Sequence, residues 1–123
     1  MTTRVLLSAL VCTALVACSA PAASDSPPAE ADLTINLADF MIDPSDVEAG
    51  GPTVTIEVTS DGPTPHNLTV RDADGAVLMA TEDLSAGDTE TISATLEPGT
   101  YTIFCSLAGH ESLGMSGTLV VGP

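Results

Sequence analysis

Lysine is absent from this 123-residue sequence, and only two arginines accompany 17 acidic residues. All the acidic residues follow Cys18, where Arg71 is the only lysine or arginine, so this part of the chain has a formal charge of −16. A protein with so few cations cannot neutralise phosphates, which excludes nucleic acid as a natural partner. The charge instead favours association with a basic partner. Adaptation to salt and simple solubility are the alternatives, because net charge alone identifies no partner.

Long hydrophobic runs are also missing. Residues 5–17 form a mainly apolar run of 13 residues after Arg4, shorter than the stretch of about 20 that a transmembrane helix needs. The run ends in Leu-Val-Ala-Cys18, which resembles the bacterial lipobox, where the cysteine becomes the first residue of the mature protein and carries lipid. We therefore predict a lipoprotein signal peptide at residues 1–17 and lipidation of Cys18.

Two alternatives remain for this N-terminal segment. An ordinary secretory signal would be cleaved after small residues near Ala20 or Ala23. A retained membrane helix is disfavoured because Pro21 ends the apolar run early. With lipid on Cys18, we expect export and anchoring to the outer face of the bacterial cell membrane, on its periplasmic or extracellular side.

The segment after the predicted signal lacks any hydrophobic periodicity. Residues 19–31 are rich in proline, alanine and serine, a composition typical of flexible tethers. We predict that residues 18–31 comprise the lipidated cysteine and a disordered linker. The domain that follows would then be able to reorient above a membrane.

Residues 32–123 show no long helical period. Apolar and polar residues alternate at 33–37, 54–58 and 91–96, and turn signals occur at 72–75 and 97–99. These patterns predict one small all-β domain, a β-sandwich with Greek-key connections. No internal repeat is visible.

Cysteine and histidine are scarce, with three cysteines and two histidines in the chain. If Cys12 leaves with the signal peptide and Cys18 carries lipid, Cys105 has no intramolecular disulfide partner. An unpaired thiol outside the cytoplasm is a liability unless it is buried or binds a metal.

The spacing Cys105-x4-His110-x4-Met115, together with His66, supplies a thiolate, two imidazoles and a thioether. Two imidazoles, one thiolate and a weak axial thioether are the ligands of a blue-copper electron-transfer site. Taken singly, each residue is more simply explained as a buried thiol, a hydrogen-bonded histidine or a core methionine. Together they indicate copper, because both histidines and the one available thiol fall into a single pattern.

These residues resemble the cupredoxins, the plastocyanin/azurin family of type 1 blue copper proteins, over about residues 32–123. The resemblance implies a cupredoxin-like sandwich and one copper bound by His66, Cys105, His110 and Met115. Asn67, which in the family ties the ligand loops together and hydrogen-bonds the cysteine sulfur, also matches, as do Phe104 and Gly109. Ala108 departs from the pattern, since many members have proline there.

Strand parity supports convergence of three of these residues without reference to a family, since side chains two residues apart share a face. His66 shares its parity with Leu68 and Val70, Cys105 with Tyr101 and Ile103, and Met115 with Leu119 and Val121. We therefore expect these three at strand ends, facing the interior. His110 lies in the loop between Cys105 and Met115 and is expected to be the most exposed of the four.

The loop around His110 carries Leu107, Ala108 and Leu113. We interpret these residues as an apolar docking patch, and ordinary loop packing is the alternative.

The function implied is a membrane-tethered one-electron carrier and not an enzyme. We expect a monomer that exchanges electrons with a basic redox protein, such as a cytochrome c domain or an oxidase subunit. The alternatives are copper storage or delivery and a sandwich without metal. A redox enzyme is disfavoured, because multicopper oxidases need many more histidines and a binuclear copper domain needs two cysteines in the loop.

Overall fold

The structure is a computed structural model that describes residues 30–123. The predicted signal peptide, Cys18 and almost all of the predicted linker therefore lie outside the described residues. Within the described part, no helix is long and apolar enough to cross a membrane.

The described residues form nine β-strands and one turn of 3-10 helix. The strands are β1 (Leu33–Ala38), β2 (Met41–Asp43), β3 (Asp46–Ala49), β4 (Thr53–Ser60), β5 (Thr69–Arg71), β6 (Val77–Ala80), β7 (Thr89–Thr95), β8 (Gly99–Phe104) and β9 (Ser116–Val121). The 3-10 helix (Glu111–Leu113) lies between β8 and β9. The three alternating segments of the sequence correspond to β1, β4 and β7.

Two mixed sheets pack face to face. One has the strand order β2-β1-β4-β7 and the other β3-β9-β8-β5-β6. Two pairs are parallel, β1 with β4 and β3 with β9, and the other pairs are antiparallel. The predicted all-β sandwich is confirmed, with several sheet neighbours that are not consecutive in sequence, as Greek-key connections require.

Alternation along the strands explains why the sheets pack together. Ile35 and Leu37 of β1 and alternate residues of β4 from Val54 to Ser60 are fully buried, whereas most of the residues between them are at least partly exposed. The buried side chains meet those of the second sheet in one continuous core, formed centrally by Ile35, Leu37, Val54, Ile56, Val58, Val70, Ile103 and Leu119. Burial of these apolar surfaces is the main force that holds the sandwich together.

The register of β5, β8 and β9 determines where the predicted ligands lie. Phe104, the last residue of β8, pairs with Ser116 at the start of β9 and with Thr69 at the start of β5. Three segments therefore lie at the same end of this sheet. They are the residue after β8, Cys105; the residue before β9, Met115; and the segment that leads into β5, which contains His66.

Candidate metal centre

His66 approaches this end of the sandwich through an isolated β-bridge and not within a strand. Its backbone N–H donates to Leu84 O at 3.0 Å, and Leu84 N–H donates back to His66 O at 2.7 Å. The side chains of His66, Leu68 and Val70 are all fully buried, in agreement with the predicted parity. Tertiary pairing with Leu84 thus places the ring inside the protein.

Cys105 and Met115 lie beside each other where β8 ends and β9 begins. Cys105 N–H donates to Met115 O at 3.1 Å, and both side chains are fully buried. Met115 N–H in turn donates to His110 O at 3.1 Å, which closes the loop on itself. Cys105 is a free cysteine among the described residues.

His110 is the partly exposed member of the group, as expected from its loop position. The loop turns at Gly109 and Gly114, whose φ angles of 84° and 103° lie in the left-handed region that glycine adopts without steric cost. Between them the 3-10 helix reverses the chain after His110 and returns Met115 to His110 and Cys105.

The ligand atoms of His66, Cys105 and His110 all lie within 4.8 Å of one another. The two histidine Nδ1 atoms are 3.3 Å apart, and Cys105 Sγ is 3.5 Å from His110 Nδ1. Two imidazole lone pairs at such a distance repel each other unless a proton or a cation lies between them. The structure thus brings together three of the four residues that the sequence indicates, with Met115 buried next to Cys105.

Asn67 ties the two ligand-bearing segments together. Its backbone N–H points at Cys105 Sγ at 3.5 Å, and its side-chain Oδ1 accepts a hydrogen bond from Ser106 N–H at 2.8 Å. Its Nδ2 donates to Asp83 Oδ1 at 2.8 Å. The role that the resemblance implies for Asn67 is present in the structure, and Asp83 is an addition to it.

The ligand loop is also tied to β5. Arg71 Nη1 donates to Glu111 Oε2 at 3.1 Å, Nη2 pairs with Oε1, and the guanidinium lies 4.1 Å from the centre of the Phe104 ring. The hydrogen bonds with Glu111 raise the pKa of Arg71 above its ordinary value. Glu111 directly follows His110, so this ion pair restrains the ligand loop.

The turn between β1 and β2 contacts both histidines, which the sequence did not indicate. Asp39 Oδ1 lies 3.1 Å from His66 Nε2, and Thr64 Oγ1 donates to the same oxygen at 2.7 Å. The hydrogen bond from Thr64 holds the pKa of Asp39 below its ordinary value, and His66 acts in the same direction. Phe40 packs edge-on against the His110 ring with centroids 5.4 Å apart. These contacts could not be predicted from the sequence, because the turn is far from both histidines along the chain: Asp39 and His66 are 27 residues apart.

The predicted apolar patch is present in part. Leu113 is 63% exposed and Ala108 is exposed, whereas Leu107 is half-buried against the core. Phe40, 46% exposed, extends the apolar surface beside His110.

The donor atoms fit a copper ion. Metal–nitrogen and metal–sulfur bonds of about 2.0–2.3 Å at trigonal or tetrahedral angles separate the ligand atoms by about 3.3–3.8 Å. The distances of 3.3 and 3.5 Å lie in this range. Two imidazoles and a thiolate, with a thioether nearby, are the donors typical of blue copper and not of the oxygen-ligated magnesium or calcium sites.

Comparison with known proteins adds independent support. A family model, the cupredoxin-like domain, matches residues 7–121. The chain belongs to the cupredoxin-like family. No curated protein sequence matches it significantly.

Solved cupredoxins share the fold. A dithionite-reduced auracyanin from the photosynthetic bacterium Roseiflexus castenholzii is 22% identical with a TM-score of 0.67, over 74% of this chain and 96% of the other. A purple cupredoxin from Nitrosopumilus maritimus is 24% identical with a TM-score of 0.58, over 74% and 100%. Auracyanin A, a "blue" copper protein from Chloroflexus aurantiacus, is 21% identical with a TM-score of 0.59, over 72% and 98%. At these identities the likeness bears on the fold alone.

Cupredoxins bind type 1 copper and are electron-transfer proteins. In this cupredoxin, His66, Cys105, His110 and Met115 form the candidate site.

Proposed function

We propose that this cupredoxin is a mobile one-electron carrier, in which His66, Cys105 and His110 would hold a single copper and Met115 would be a further, weak ligand. The observation that carries the proposal is that the three donor atoms lie within 4.8 Å of one another and that one of them belongs to the partly exposed His110. A redox centre of this kind is shielded from solvent except at one ligand on the surface. A partner protein can approach that ligand closely enough to exchange an electron.

The residues around the centre have separate tasks. Bound copper would supply the redox chemistry, by cycling between Cu(II) and Cu(I). His66 and Cys105 are fully buried, so the surrounding side chains exclude water from them and should restrain both ligands when the oxidation state of a bound copper changes. The backbone N–H of Asn67 points at Cys105 Sγ, and this contact lowers the electron density on the thiolate. His110 forms the edge through which electrons leave or enter.

Cyclic voltammetry of the copper-loaded protein, followed by metal analysis after reduction, tests the carrier role. We expect a reversible one-electron wave and full retention of copper in the reduced protein. Loss of copper on reduction, or its transfer to a metal-free acceptor protein, would contradict electron carriage and support copper delivery.

The lipobox-like ending of the apolar run motivates a further part of the proposal, that the carrier is exported and attached through Cys18. Two acyl chains give stable membrane attachment, whereas one chain gives only marginal binding. Cell fractionation should find the wild-type protein with the membrane and the Cys18→Ala variant in the soluble exported fraction. A wild-type protein that is soluble after export would exclude the anchor.

A further inference from the structure

The far side of the His66 ring, opposite the candidate metal position, faces a carboxylate. Nδ1 lies 3.3 Å from His110 Nδ1, while Nε2 lies 3.1 Å from Asp39 Oδ1 and 3.4 Å from Thr64 Oγ1. The ring is fully buried, and the side chain of Asp39 is 38% exposed. The carboxylate thus contacts the solvent on one side and the buried imidazole on the other.

This arrangement determines which ring nitrogen carries the proton. An ionised carboxylate can only accept hydrogen bonds, and a neutral imidazole has one N–H. Thr64 already donates its hydroxyl proton to Asp39, at 2.7 Å, so its oxygen can only accept from the ring. Both neighbours of Nε2 are therefore acceptors, which places the proton on Nε2 and leaves the Nδ1 lone pair free for a metal.

Gly62 provides the space for this contact. A Cβ at this position would lie 2.5 Å from His66 Nε2 and 2.9 Å from Asp39 Oδ1. Distances below about 3.0 Å do not occur for real Cβ atoms, so any larger residue would push the carboxylate and the ring apart. The backbone at Gly62 does not need a positive φ, and the absence of a side chain is what this position requires.

We infer that Asp39 is a positioning residue of the copper site, which fixes the Nε2–H form and the orientation of His66 and, as an anion, favours Cu(II) over Cu(I). The inference rests on the proposed copper ligation by His66. A carboxylate that accepts the second N–H of a ligand histidine increases its basicity, and loss of such a partner costs about 10–100-fold in metal affinity. The reduction potential should therefore be lower with Asp39 than without it.

Three variants separate the hydrogen bond from the charge. Asp39→Ala removes both, and Asp39→Asn keeps an acceptor oxygen but removes the charge. Glu48→Gln is the control for a lost charge elsewhere, since Glu48 pairs with Val120 toward the other end of the sandwich. Circular dichroism establishes that each variant is folded.

The first measurement is the tautomer of His66, by nitrogen-15 NMR of the metal-free protein at about pH 8. We expect Nε2–H in the wild type, in Asp39→Asn and in Glu48→Gln, and loss of this preference in Asp39→Ala. An unchanged tautomer in Asp39→Ala would overturn the positioning role. This measurement needs no copper, so it tests Asp39 even if the proposed function fails.

The second measurement is the copper affinity and reduction potential. Asp39→Ala should bind Cu(II) about 10–100-fold more weakly than Glu48→Gln. If Cu(I) binding is unchanged, each tenfold loss raises the potential by about 59 mV. Asp39→Asn should raise the potential by less, with the tautomer intact. Potentials of both Asp39 variants equal to that of Glu48→Gln would overturn the effect of the charge.

Discussion

Rarity of residue types made the candidate ligands predictable at the residue scale. Both histidines and the only cysteine beyond Cys18 fall into one pattern, and the structure brings their ligand atoms within 4.8 Å. Asp39 could not be predicted in the same way, because it is one of 17 acidic residues and contacts His66 across 27 positions of sequence. Its role depends on which turn meets which ring, and that follows only from how the two sheets pack.

Met115 allows a prediction at this scale. A thioether is expected to be a weak, long axial ligand that tunes the copper site more than it holds the metal. Met115→Gln should retain copper and lower the reduction potential, since an oxygen ligand favours Cu(II). Met79→Gln is a control for the same change at another core methionine, because Met79 lies on the edge strand β6, opposite Val70, and is not one of the candidate ligands.

The reduction potentials of the two variants, measured by titration, decide the role of Met115. A potential in Met115→Gln that is unchanged or raised would mean that the methionine is core packing and not a ligand.

The element that carries most of the candidate site is the loop between β8 and β9. Alternation in the sequence indicated which residues face inward, and the burial of Ile103, Cys105, Met115 and Leu119 agrees with it. The 3-10 turn and its ion pair with β5 could not be read from the sequence, because Arg71 and Glu111 are 40 residues apart. The bridge of His66 to Leu84 likewise depends on tertiary pairing.

The Arg71–Glu111 ion pair should stabilise this loop by a small and salt-dependent amount. Both side chains are partly exposed, so solvent screens the attraction, and such pairs contribute about 0.2–1 kcal/mol. Urea unfolding of Arg71→Met, Glu111→Gln and the double variant gives the coupling free energy. The contact of the guanidinium with the Phe104 ring is lost in Arg71→Met and in the double variant alike, so it cancels in the coupling free energy.

We expect the coupling to fall as salt rises, because the Debye length shortens. A coupling of zero at low salt would show that the ion pair does not restrain the loop.

Acidity dominates the whole molecule. Within residues 30–123 the one guanidinium, Arg71, is already paired with Glu111, so the remaining charged side chains are carboxylates.

The all-β class of this molecule could be predicted from the alternating segments, whereas the parallel pairing of β1 with β4 could not, because periodicity does not specify a strand's neighbour. Net charge is likewise available from composition, but its distribution around His110 requires the fold.

We predict faster electron transfer with a basic partner than with an acidic one. Opposite charges accelerate encounter at low ionic strength, and salt reduces the effect, with a Debye length of about 10 Å at 0.1 M. Apolar contacts beside His110, at Phe40 and Leu113, should be much less sensitive to salt. Stopped-flow experiments with a basic and an acidic cytochrome c of similar potential, over a salt series, measure both contributions.

The rate difference between the two cytochromes should disappear as salt increases. Equal rates at low salt would mean that the acidity serves solvation and not partner selection.

The visible spectrum of the wild-type protein during titration with Cu(II) tests the central claim, copper ligation at this site, most directly. Thiolate ligation by Cys105 should produce an intense blue or green colour from sulfur-to-copper charge transfer, which saturates at one copper per chain. Cys105→Ser is the matched control and should remain without this colour, because a hydroxyl cannot replace the soft thiolate. A wild-type protein that stays colourless with excess Cu(II) under oxidising conditions would contradict the claim.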